Sequence, residues 1–247
     1  MRSLSTRLLG VGLAAAVAAV TIALAVTGRI GLYINPDSAW FAVAMSVLAL
    51  VGTAVSCVVP LGAEEEHDHG VDGDEAGHSH APAGRAGIAA SLSGGILATG
   101  IVGAMLLAPP ATLSAELAMA RDTGTAPLFQ GDDVVALAAT GDTASFGVGE
   151  WASVFATASS ASAFDGTPVE LTGFVTPGEG GFELNRLVVT HCVIDAQVAR
   201  VPVVWPDPPE TGQWVTVRGT VQDVDGSLRI EAQSVEPVAE PEDPYEF

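Results

Sequence analysis

Three runs in the first 110 residues carry no charged side chain: Leu8–Thr27 (LLGVGLAAAVAAVTIALAVT), Ser38–Pro60 (SAWFAVAMSVLALVGTAVSCVVP) and Gly87–Pro109 (GIAASLSGGILATGIVGAMLLAP). At 1.5 Å per residue, a run of about twenty residues covers the ~30 Å hydrocarbon thickness of a bilayer. Each run therefore predicts a membrane-spanning helix. The first is rich in alanine and follows Arg2 and Arg7, so a secretory signal is the competing reading there. The further apolar runs that follow favour a retained span. Trp40 and Phe41 open the second run, where aromatic rings anchor at an interface. The third holds Ser91, Ser93, Gly94, Gly95, Gly100 and Gly103, small residues that let another helix approach closely, without a strict GxxxG spacing. Asn35-Pro36 breaks the chain between the first two.

Beyond Pro110 the pattern changes. Residues 111–165 read as a linker with short pieces: VVALAAT (134–140) as a strand, and FGVGEWASVFATA (146–158) as a short helix with Trp151 and Phe155 four apart on one face. Asp165-Gly166 is a turn. Five strands then follow over 166–236: VELTGFV (169–175), FELNRLVVT (182–190), ARVPVVW (199–205), QWVTVRGTVQDV (213–224) and SLRIEAQSV (227–235). Gly-rich or Pro-rich turns separate them, and Asp225-Gly226 is a hairpin signal. Five short strands at this spacing suit a small all-β barrel of the OB type. Trp205 and Trp214 are expected to pack in or on that barrel, with an exposed docking role as the alternative. Arg186 is placed to pair with Glu183 or Asp195, or to meet a partner. The acidic, proline-bearing end, 237–247, reads as a disordered tail. The domains are thus a three-span membrane region over 1–110 with a His/acid loop at 63–85, the linker, the β domain and the tail.

Composition sharpens this division. The 247 residues carry a net charge of −20, with nine arginines, no lysine and 29 acids. So negative a chain is not suited to nucleic acid, since phosphate binding needs cationic side chains. Two cysteines, Cys57 in an apolar run and Cys192 in the β region, make no disulfide framework. Arg2, Arg7 and Arg85 fall on one side of the predicted spans and Arg29 and Arg121 on the other. That balance favours a cytoplasmic N-terminus in the plasma membrane and an extracytoplasmic C-terminal domain.

Two stretches hold candidate chemistry. Glu64–His80 (EEEHDHGVDGDEAGHSH) contains four of the five histidines and seven acids. His67 and His69, like His78 and His80, are two apart and share a side of an extended chain. Imidazole suits divalent metals such as zinc, and the carboxylates raise the local cation concentration. The competing reading is a solvated connector, because Gly70, Gly73 and Gly77 make ordering costly and no fixed ligand spacing is present. The second stretch is Thr190-His191-Cys192-Val193-Ile194-Asp195. His191, Cys192 and Asp195 could ligate a metal, or His191 could activate the thiol. Adjacent residues of a regular strand point to opposite faces, so only a turn or bulge would join His191 to Cys192. The alternative makes Cys192 a small buried hydrophobe and Asp195 a turn cap.

The stretch LTGFVTPGEGGFELNRLVVTHCVIDAQ resembles the YcgQ-like family of two-component permease subunits. Gly173, Phe174 and Val175 fit its GFV strand, Arg186–Val189 its Arg-led strand end, and Cys192, Asp195 and Ala196 its Cys-Cys-x-x-Asp-Ala segment. GQWVTVRGTVQ (212–222) is similar to a later family strand. Tyr33–Pro36 with Trp40, the His-rich loop and APPATLSAELAMAR (108–121) are similar to its N-terminal half. His191 stands where the family has the first cysteine of a pair, a departure that counts against paired-thiol chemistry but leaves a His-Cys pair able to ligate a metal. The resemblance implies a few spans plus a β-rich domain, working with a separate multispan permease. The expected function is an accessory membrane subunit of a transport complex, with a metal link through the His/acid loop. A membrane-anchored metal-handling or assembly factor, or a structural scaffold, would act without a permease. No P-loop, GxSxG or CxxC is present, so no enzyme is expected.

Overall fold

The computed structural model describes residues 2–58 and 143–247, and between them Leu97, Gly100, Met119 and Ala120. The expected third span, the His/acid loop with His67, His69, His78 and His80, and the strand expected at 134–140 lie outside the described residues. The chain divides into two compact units. One comprises 1–30 and 37–110, the other 31–36 and 111–247.

In the first unit, α1 covers Arg2–Val26 and α2 covers Ala39–Val58. They pack on each other, burying Ala18 and Ser46. The Ser46 hydroxyl donates to the Ala42 carbonyl one turn back, so this polar group is satisfied within its own helix. Pro36–Ser56, 21 residues, is the one stretch among the described residues that is long and apolar enough to cross a membrane. Its large side chains face outward: Trp40, Phe41, Met45, Leu48, Val51 and Val55 are all exposed. A helix apolar on its outside is at odds with water and suited to lipid. The apolar part of α1, Gly10–Val26, is shorter, about 25 Å at 1.5 Å per residue.

The second unit is built on six strands: β1 Pro168–Gly178, β2 Gly181–Val188, β3 Gln197–Val204, β4 Trp214–Val224, β5 Ser227–Pro237 and β6 Tyr245–Glu246. All five expected strands are present within a few residues of their predicted bounds. They form a mixed sheet in the order β1-β4-β5-β3-β2-β6, and β1 also pairs with β2. Most pairings are antiparallel, while β3–β5 and β2–β6 are parallel. Asp225 and Gly226 both have positive φ, 54° and 85°, between Val224 and its partner Ser227. That is the two-residue turn that an Asp-Gly pair favours.

Alternation along the strands sets the core. Val169 and Leu171 of β1, Phe182 and Leu184 of β2, Ala199, Val201 and Val203 of β3, Val215, Val217 and Val221 of β4, and Leu228 and Ile230 of β5 meet in one buried cluster. Helix α3, Val148–Thr157, adds Val148, Trp151, Ala152 and Val154 to it. The expected pair Trp151 and Phe155 lie edge to face at 6.0 Å. Gly173 of β1 is required by close approach, since a Cβ there would run into the Asn185 carbonyl oxygen of β2.

One expectation fails. The end of the chain, read as a disordered tail, carries β6, and Tyr245 is only 4% exposed. Its composition is that of a disordered segment, but Tyr-Glu-Phe alternates apolar, polar, apolar, which fits one edge of a sheet. The tail starts its course along the domain at Val238, whose N–H donates to the Trp214 carbonyl.

Candidate functional site

The segment 190–195 leaves β2 and turns before β3. A short 3₁₀ turn, Val193–Asp195, reverses the chain. Asp195 folds back over it. One carboxylate oxygen accepts the Thr190 N–H at 3.1 Å, and the other accepts those of His191 at 3.0 Å and Cys192 at 3.2 Å. The His191 ring nitrogen Nδ1 lies 3.2 Å from the same oxygen. Burial pushes the Asp195 carboxyl up, but the three backbone N–H groups and the His191 ring outweigh it and hold its pKa below the usual carboxylate range.

The inter-helix connector, residues 31–36, is stitched to this turn. Ile34 pairs with Cys192 as an antiparallel bridge. The Asn35 N–H donates to the His191 carbonyl at 3.0 Å, and the Val193 N–H donates to the Tyr33 carbonyl at 3.0 Å. The Asn35 side-chain amide donates to the Thr190 carbonyl at 3.1 Å. The turn is thus held on one side by its own aspartate and on the other by a segment some 155 residues away in sequence.

Beneath it lies a second apolar cluster of Phe174, Leu187, Val189, Ala196 and Tyr245, joined by Leu32 of the connector and Phe247 at the chain end. A buried charge lies between this cluster and the first. Period two along β2 puts Arg186 on the same face as Phe182, Leu184 and Val188, and Arg186 is 9% exposed. Its guanidinium lies 5.0 Å from the centre of the Trp214 ring and donates to the Asp243 carbonyl at 2.7 Å. Its ion pair is with Glu246, Nε to Oε1 at 3.8 Å, rather than with Glu183 or Asp195 as expected. Burial lowers its pKa against the pull of Glu246, Asp243 and Glu240.

Glu246 also caps α3. The residue before that helix, Gly147, has no side chain to receive its first N–H groups. Glu246 accepts them instead, from Val148 at 3.0 Å and Gly149 at 2.6 Å. Glu150 completes the cap by accepting the Gly147 N–H at 2.9 Å.

Of the predicted site residues, His191 and Asp195 are therefore brought together, and Cys192 joins them through its backbone N–H. His191 is exposed and Cys192 is half-buried with a free thiol. Among the described residues no three His, Cys, Asp or Glu side chains are grouped so as to hold a metal ion. The arrangement supports a turn whose acid is committed to the backbone, with the imidazole turned outward. Sequence reading missed Arg186–Glu246. An arginine at a core-facing strand position was the available signal, because a buried cation requires an acid.

Asp195→Ala is expected to destabilise the second unit by about 1–2 kcal/mol, through loss of N–H bonds to a charged acceptor at a site partly open to water. Because the native carboxyl is held low, its contribution is present above about pH 4 and is lost as pH falls through the native value. Hydrogen exchange at the amides of residues 190–192 reads this. Exchange should rise in the variant at neutral pH, and wild type should approach it on acidification.

Residues 13–124 match the family model described as the DUF1980 N-terminal domain, and residues 150–247 that of the DUF1980 C-terminal domain. No curated protein and no solved structure matches the chain. The chain carries the DUF1980 N-terminal and C-terminal domains in that order.

Proposed function

We propose that this protein is an accessory membrane subunit of a transport complex, working with a separate multispan permease as its resemblance to YcgQ-like subunits implies. The observation that carries the reading is the connector 31–36. It lies between two apolar helices in sequence, yet it folds as part of the β unit. If α1 and α2 both cross the bilayer, the β unit stands on the side where the connector emerges. The chain must then cross once more between residues 59 and 142, and Gly87–Pro109 has the length to do so. Taken with the arginine balance, the reading has three spans, an N-terminus and His/acid loop in the cytoplasm, and an extracytoplasmic β domain.

The β domain reads as an OB-like barrel. Its pairings run β1–β2–β3–β5–β4 and return to β1, which supports closure, with α3 contributing to the interior. Such a domain would shape the outer mouth of a permease or present substrate to it. The His/acid loop would hold an exchangeable divalent metal such as zinc through His67, His69, His78 and His80.

The test is isolation of the intact protein from mild detergent, with mass spectrometry of partners and metal analysis of the same sample. A stoichiometric multispan partner is the expected result. Metal that leaves when the four loop histidines become alanine assigns it to the loop. Recovery of the protein alone would replace the permease reading with a free-standing membrane scaffold. Metal without a permease would replace it with a metal-handling factor.

A further inference from the structure

We infer that the edge of β2 and the first turn of α3 form a docking site for an extended segment of a partner protein, one with an acid between two apolar residues, and that Tyr245–Phe247 occupies this site as an internal placeholder. The inference does not rest on the permease reading, since every residue in it belongs to the β unit.

One half of the site reads a carboxylate. The Val148 and Gly149 N–H groups at the start of α3 both donate to Glu246. Gly147 leaves the space for that acid, since a Cβ there would run into the Glu246 carboxylate. Arg186 faces the same carboxylate across 3.8 Å, an ion pair too long for a hydrogen bond. Its guanidinium is served only in part. Nη2 donates to the Asp243 carbonyl, while Nε and Nη1 are buried with no hydrogen-bond partner. A buried donor left unmet is costly. A carboxylate seated closer would accept from Nε, which the resident Glu246 does not.

The other half reads an extended backbone. β1 pairs with β2 only as far as Phe174 and Asn185. Past that point β6 lies along β2 over Leu187 and Val188, and the Val189 N–H donates to the Glu246 carbonyl at 2.9 Å. Tyr245 and Phe247, on either side of the acid, join the apolar cluster of Phe174, Leu187 and Val189. Main-chain bonds to a sheet edge, with pockets for alternate side chains, are how an added strand is recognised. The resident segment is held by a pairing of two residues, and its tether is open. Glu240, Glu242 and Asp243 are exposed between Val238 and β6, and Pro241 and Pro244 have no N–H to give a ladder. The segment can therefore leave without unpairing β5. The occupant proposed is a strand of a separate protein, selected by its acid.

The experiment uses the full chain in mild detergent with a protease site inserted between Glu240 and Pro241. The folded protein is cut there, so that 241–247 is free to exchange. The probe is the fluorescent peptide PEDPYEF, the sequence of 241–247, followed by anisotropy. The cut chain should bind it. The intact chain should bind it about tenfold more weakly or less, because a tethered competitor acts at an effective concentration on the order of mM. The peptide with Glu246→Ala should bind about thirtyfold more weakly, through loss of a buried charge pair. The peptide with Tyr245→Leu and Phe247→Leu should stay within about tenfold, since the site reads an alternating pattern. No uptake by the cut chain, or loss of its thermal transition when the segment is washed out, makes 241–247 a fixed part of the core and overturns the inference. Equal binding of the Glu246→Ala peptide, or equal binding to cut and intact chains, overturns it as well. Loss of binding with the two leucines confines the site to this chain's own sequence and overturns a separate partner. So does co-purification of two differently tagged intact copies that the cut abolishes, which would assign the site to a second copy.

Discussion

Trp151→Ala is expected to destabilise the β unit by roughly 3–5 kcal/mol, the cost of truncating a large buried aromatic side chain. Trp151 is 1% exposed and sits where α3 meets the sheet. Its ring stands edge to face with Phe146 at 5.8 Å, Phe155 at 6.0 Å and Phe164 at 6.5 Å. These contacts tie together the loop before α3, the helix itself and the segment leading into β1. Native domains hold only about 5–15 kcal/mol in total, so the loss is a large share. The check is the thermal midpoint of the full chain in mild detergent, followed by hydrogen exchange at the core amides of β3 and β4. Phe155→Ala provides the internal comparison. Phe155 is only partly buried against the same cluster and should cost distinctly less. Equal effects from the two would mean that α3 is held by its cap and not by its apolar face.

The strands of this domain were legible because their signals are local. FELNRLVVT and QWVTVRGTVQDV alternate with period two, and Asp225-Gly226 marks its turn through the backbone conformation that glycine permits. The α3 segment was legible from Trp151 and Phe155 at helical spacing. What was not legible depends on distant partners. Nothing around Tyr33-Ile34-Asn35 announces that it will pair with residues 190–193, because a lone bridge needs only backbone groups, which every sequence has. The tail was misread for the opposite reason. Its prolines and acids describe its average composition, whereas its structure is decided by two residues, Tyr245 in an apolar cluster and Glu246 on a helix end. The candidate site was legible in position, through Thr190–Asp195, but not in role. The sequence offered Asp195 both as a ligand and as a turn cap, and the geometry commits its oxygens to three backbone N–H groups.

Glu246→Ala is the second large effect expected, about 3 kcal/mol, at the lower end of the cost of breaking a buried ion pair because the carboxylate keeps some contact with water. The change leaves Arg186 buried without its acid and the N–H groups of Val148 and Gly149 without their acceptor. It also releases β6, whose parallel pairing with β2 spans only Leu187–Tyr245 and Val188–Glu246. Glu246→Gln separates charge from shape, since the amide oxygen can still accept one N–H. Burial pushes the Glu246 pKa up, and this prevails over the lowering by the Gly149 and Val148 N–H groups and by Arg186. The sign follows from linkage. Above the unfolded carboxylate value of about 4.3 the native state holds this proton more tightly than the unfolded chain does. Stability should therefore decline as pH rises from there through the native pKa, and level off beyond it. Glu246→Gln removes that decline, so the two stability curves should differ in slope just above the ordinary carboxylate range and run parallel at higher pH. A wild-type curve that instead climbs with pH relative to the Gln variant would show the carboxylate to be favoured where it sits, with the helix end and Arg186 outweighing its burial.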